Sequence, residues 1–147
     1  MNPQPSRRPR PRLSDVLGRM DRFLERRVGA RRPDGTWSVA VDARRRGDVL
    51  TILADLPGVD PGNLHISVQD RVLTVAGEPA RLPDGDEHEG YLQRERPTGA
   101  FRRSIALPAE ADVDGITATA RNGVAEITIP LGTGTSSPTI DITATAA

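Results

Sequence analysis

The side chains able to do acid-base or metal chemistry are few in this chain. His65 and His88 are its histidines, and it has neither cysteine nor lysine, so its 20 basic residues are all arginine. Without thiolates, a zinc site would have to draw most of its ligands from carboxylates. His88 stands among Asp86, Glu87 and Glu89, a set able to attract a cation but equally suited to a solvated, charged loop. His65 falls on the polar side of an alternating run and is expected to be exposed. No serine sits in the G-x-S-x-G elbow of a hydrolase, and a phosphate-cradling glycine loop that ends in lysine is impossible here. The expectation is therefore a protein that is not an enzyme, with no catalytic residue, no metal and no cofactor, acting without ATP.

What remains is a pattern of strands and one charge out of place. Ile116-Thr117-Ala118-Thr119-Ala120 and Val124-Ala125-Glu126-Ile127-Thr128-Ile129 both alternate as half-buried strands do. Between them Asn122-Gly123 supplies the two residues that tolerate the positive φ angles of a type I′ hairpin. Pro130 ends the second run. Upstream, Phe101 to Leu107 reads as a strand preceded by Thr98-Gly99 and closed by Pro108, and within it Arg103 shares a face with Phe101, Ile105 and Leu107. A guanidinium so placed needs a carboxylate or an interface, unless its stem snorkels past an apolar edge. Earlier strand candidates are Trp37 to Ala43, Val49 to Leu56, Leu64 to Val68 and Val72 to Gly77. Turns are expected at Arg44 to Asp48, Pro57-Gly58 and Gln69 to Arg71. Short strands at this spacing predict an all-β sandwich.

The chain is 147 residues long, enough for one domain with tails. Its 20 acidic residues balance the arginines overall, yet residues 1 to 32 hold ten Arg against Asp15, Asp21 and Glu25, leaving the remainder acidic. The first twelve residues, rich in Pro and Arg, cannot pack a core. From about residue 14 to 28 the periodicity turns helical, with Val16, Leu17, Met20, Phe23 and Leu24 on one side and Arg19, Arg22, Glu25 and Arg26 on the other. Such a short amphipathic helix needs an apolar surface to lie on: its own domain, a neighbouring subunit or an unfolding client. The absence of cysteine, of an apolar run long enough to cross a bilayer and of a signal-like apolar segment predicts a cytoplasmic location.

The order Glu95-Arg96, Gly99, Phe101, Arg103, Leu107-Pro108, Ala120, Asn122-Gly123-Val124 and Ile129-Pro130 resembles the signature of the α-crystallin domain of small heat-shock proteins, bacterial type. Leu56-Pro57-Gly58-Val59 is a further family-like element, and the resemblance covers residues 37 to 131. Ala125 stands where the family usually has Leu, and Leu131 where it usually has Lys. The resemblance implies an immunoglobulin-like β-sandwich over 37–131, an N-terminal arm over 1–36 and a C-terminal extension over 132–147.

It also implies roles for particular residues. The long acidic connection from Glu78 to Arg96 would carry a short strand, Tyr91-Leu92-Gln93-Arg94-Glu95-Arg96, that crosses to the sheet of a partner and makes a dimer. Arg103 aligns with the Arg characteristic of the family, at an interface or in a buried ion pair. Ile140-Asp141-Ile142 matches the Ile-x-Ile tail that docks on another subunit and builds higher homo-oligomers. Its groove is expected between Leu64, Ile66 and Val68 on one strand and Ile116, Ala118 and Ala120 on another, where small alanines opposite bulkier side chains leave room. Val16, Leu17, Met20, Phe23 and Leu24 would form the client-binding arm.

The implied function is that of an ATP-independent holdase chaperone of the stress response, which binds partly unfolded proteins and prevents their aggregation, with itself and its clients as partners. One alternative is a co-chaperone or scaffold module of the same fold that binds a folded partner, although such modules generally lack the Ile-x-Ile tail. Another is a nucleic-acid or membrane binder acting through the Arg-rich arm. With 3% aromatics, base stacking is poorly supplied, and neither nucleic-acid nor stable membrane binding is expected.

Overall fold

A computed structural model of the chain describes residues 31–79, 90–132 and 140–146. The helix expected over 14–28 lies outside them. Among the described residues nine strands follow in order: β1 Val41–Arg46, β2 Val49–Asp55, β3 Leu64–Gln69, β4 Val72–Gly77, β5 Phe101–Ala106, β6 Thr117–Arg121, β7 Val124–Pro130, β8 Ile140–Ile142 and β9 Thr145–Ala146. One turn of 3-10 helix, Pro61–Asn63, links β2 to β3, and the Asp60 carboxylate caps it by accepting from the backbone of Gly62 at 2.8 Å.

The strands form two sheets, one ordered β1-β2-β7-β6-β9 and the other β5-β4-β3-β8. Every pairing is antiparallel except that of β6 with β9. Period-two alternation turns one face of each sheet inward. Leu50, Ile52, Ile127 and Ile129 from the first sheet and Ile66, Val68, Leu73, Val75 and Phe101 from the second are almost wholly buried in one shared core. The predicted all-β sandwich is the observed architecture.

The turns carry the expected chemistry. Asn122 and Gly123 have φ of 53° and 76°, which lets β6 and β7 pair without splaying. The β3–β4 turn uses the same left-handed geometry without glycine, with Asp70 at 49° and Arg71 at 61°. Arg71 is fixed there by donating to the carbonyls of Pro108 at 3.2 Å and Ala111 at 3.4 Å, while its own carbonyl accepts from Leu107 at 2.8 Å. Gly77, at the end of β4, is required for a different reason: a Cβ there would come within 2.5 Å of the Asn63 carbonyl and 2.9 Å of the Phe101 ring.

The first strand departs from expectation. Trp37 to Ala40 lies outside the β1 ladder, and β1 instead runs through Arg44, Arg45 and Arg46, which were expected to turn. Trp37 is drawn to the opposite sheet. Its backbone exchanges hydrogen bonds with Ala100 and Arg102, its indole Nε1 donates to the Gly99 carbonyl at 3.0 Å, and its ring packs at 5.6 Å from that of Phe101. The chain then crosses to the first sheet as β1, an edge strand exposed along most of its length. Arginine suits such an exposed strand because its charge stays in solvent while the inner side of the strand bonds to β2. The turn itself is Gly47-Asp48, with Gly47 at φ 57°.

Candidate functional site: the edge groove and its tail

Without the C-terminal segment, β3 and β6 would be the outermost strands of their sheets on the same side of the sandwich. Leu64, Ile66 and Val68 project inward from β3, and Ala118 and Ala120 from β6, with Ile116 just before it. All are buried except Ala120, which is partly so. The alanines of β6 stand opposite Ile127 and Ala125 of β7. Because an alanine side chain is a single methyl, this margin of the core is shallow, and the space above it is apolar.

The chain's own tail lies in that space. β8 pairs antiparallel with β3, placing Ile142 opposite Ile66, Asp141 opposite Ser67 and Ile140 opposite Val68. Ile142 is half-buried against the core, whereas Asp141 is exposed. The two ends of the expected groove and the Ile-Asp-Ile segment are therefore together in one chain. Beyond it, β9 pairs parallel with β6, Thr145 opposite Thr119 and Ala146 opposite Ala120, and Ala144 packs on the core between the two strands. Sequence reasoning missed these last residues, although an apolar residue at every second position from 140 to 144 was visible.

The residues expected at other interfaces are placed as follows. Arg103 pairs with Val75 in the ladder, is half-buried on the side of Phe101 and Ile105, and donates through Nη1 to the Ser38 hydroxyl at 3.1 Å. Ser38 is 2% exposed and had drawn no attention in the sequence. Tyr91 to Arg96 forms no strand within the single chain. It is exposed throughout, Leu92 completely so, with the Arg94 guanidinium 5.2 Å from the Tyr91 ring and Gln93 donating to Glu95 at 2.7 Å. The outer edge of β1 pairs with no strand among the described residues. On β1 itself, Arg45 forms an ion pair with Glu110 at 3.1 Å.

The Asp34 carboxyl is held below its usual value chiefly because it accepts from the Thr36 hydroxyl at 2.7 Å and the Thr36 amide at 3.0 Å, with Arg32 and Arg102 adding to the effect. His65 is exposed on β3, and His88 lies outside the described residues, as do Val16, Leu17, Met20, Phe23 and Leu24. Among the described residues no group of three or more His, Asp or Glu is placed to hold a metal ion, and no helix is long and apolar enough to cross a membrane.

Fold and groove define a β-sandwich module whose edge takes up an extended peptide. A model of the Hsp20/alpha crystallin family matches residues 42–143, and the chain belongs to that family, the small heat-shock proteins, whose general function is that of chaperones. Its likeness to the 18 kDa antigen 2 of Mycobacterium avium is 36% identity over 118 residues, spanning 80% of this chain and 81% of that protein. The solved structure of hspA from Xanthomonas axonopodis superposes with a TM-score of 0.61 at 38% identity, covering 68% of this chain and 99% of the other. A small heat-shock protein from Xylella fastidiosa, described as having a distinct high-order structure, gives 0.61 at 34% identity over 69% of this chain and 93% of its own.

Proposed function

We propose that this protein is an ATP-independent holdase, which assembles with copies of itself and keeps partly unfolded proteins from aggregating. The observation that carries the reading is the apolar groove between β3 and β6, covered by two short strands of three and two residues. Burying two isoleucines fully is worth about 3 to 6 kcal/mol gross, and ordering the segment that precedes them subtracts from it. A contact of that size opens readily, and each opening uncovers apolar surface that an unfolding chain can occupy.

Assembly follows from the same edges. Tyr91 to Arg96, exposed and part of no strand among the described residues, would lie along the outer edge of β1 in a partner, and Ile140 and Ile142 would enter the groove of a neighbouring subunit. Many weak tails acting together then hold a large assembly that loosens as temperature rises. Arg103 would support the dimer from beneath, and the apolar face of the arm, Val16, Leu17, Met20, Phe23 and Leu24, would add client-binding area. The test is light scattering by an unrelated enzyme held at its unfolding temperature without ATP. Equimolar protein is expected to suppress the rise, and an unchanged trace would overturn the assignment.

A further inference from the structure

The tail does more than fill a groove in one sheet. From Ile140 it runs antiparallel to β3, and by Thr145 it runs parallel to β6, so one continuous segment is hydrogen-bonded to both sheets of the sandwich. Between the two pairings the alternation is unbroken: Ile142 and Ala144 are half-buried, whereas Asp141, Thr143 and Thr145 face solvent. Ile142 and Ala144 both pack against the core. At the crossing, Ala144 packs its single methyl against the core just before Ala146 comes opposite Ala120.

We infer that the docking element is the whole segment Ile140–Ala146 rather than the Ile-Asp-Ile triplet, and that Ala144–Ala146 is a second anchor which clamps the β6 edge of one sheet to the β3 edge of the other. This rests on the reading of the tail as the groove's occupant and adds a second contact surface to it. The occupant is the C-terminal segment of this protein, from the same chain as seen here or from another copy in the assembly. The two anchors differ in kind. At β3 the large side chain of Ile142 and a ladder act together, whereas at β6 the side chains are small and the backbone pairing supplies most of the contact. Because the anchors are joined by a single residue, Thr143, seating either one places the other beside its edge at high effective concentration. Release consequently frees two unpaired sheet edges at once, together with the groove between them.

Hydrogen exchange on the assembled protein tests this, with one readout for each anchor. A chain that stops after Thr143 keeps Ile140 and Ile142 but lacks the second anchor. It is expected to lose protection at least tenfold at those amides of Thr119–Arg121 that face away from β7, while the fold, read by circular dichroism, is retained. Ala144→Asp, which places a charge where the tail meets the core, should do the same. Ile140→Ala with Ile142→Ala should raise exchange along Ile66–Val68 as well. If the shortened chain protects β6 as fully as the intact one, the clamp is refuted. If the double isoleucine variant leaves β3 protection unchanged, the underlying docking reading fails too.

Discussion

Replacing Ile142 by Ala isolates the side-chain share of the tail contact. The change removes three carbons, worth about 0.8 kcal/mol each when fully buried. Ile142 is half-buried beside Ile66, so roughly half of that, about 1.2 kcal/mol, should be lost, which weakens one tail about eightfold. A subunit pair held by two reciprocal tails loses the factor twice, about sixtyfold, because linked contacts multiply. Sedimentation velocity at micromolar protein should therefore show the variant moved toward dimers, with more small species on dilution than the parent. The domain should not notice, since Ile142 contributes only to the margin of the core, and urea unfolding of the sandwich should change little. An unshifted size distribution would show that the tail is not an assembly contact. A large fall in unfolding free energy would show instead that β8 is an integral strand of the domain.

Two further outcomes follow from local geometry. Gly77→Ala drives a methyl into the Asn63 carbonyl and the Phe101 ring, and should destabilise the sandwich by about 1 to 3 kcal/mol in urea; a loss below about 0.5 kcal/mol, the range of an ordinary surface change, would mean that the β4–β5 edge yields easily. The lowered Asp34 value makes a pH prediction. A carboxyl whose folded pKa lies below its unfolded 3.8 adds stability above 3.8 and surrenders it as pH falls through the folded value. Emission from Trp37, the single tryptophan, three residues away, should therefore be constant down to 3.8 and change below it. Asp34→Ala should abolish that acid change, and a transition centred well above 4 would assign it to another group.

How legible the fold was depended on where each strand lay. β3, β4 and β7 alternate because one face of each is buried, and the Asn122-Gly123 turn is written in residue type, so sequence placed them to within a residue or two. β1 could not be found in the same way. An edge strand exposed along nearly its whole length has no apolar period, and three consecutive arginines look like a turn until β2 is beside them. The departure of Trp37 depends on Phe101, far along the chain, and no local rule contains it. In the groove, the isoleucines were conspicuous and Ala144 was not, since alanine marks burial only weakly and its position counts through the parallel pairing that follows. Arg103 was visible as a charge on an apolar face, whereas its neighbour Ser38 is small, polar and buried, with nothing in the sequence to connect the two.

The pairing of β2 with β7 has a consequence for the life of the chain before it is folded. That ladder joins Val49 to Pro130 and Asp55 to Val124, partners far apart along the chain. The β3–β4 hairpin, by contrast, closes on itself within a few residues and can form early. While the chain is being synthesised, Leu50, Ile52 and Ala54 must therefore wait, with one side of their strand unpaired and their side chains uncovered, until nearly the whole domain has emerged. During that interval the nascent polypeptide presents the same kind of apolar surface as any partly unfolded chain.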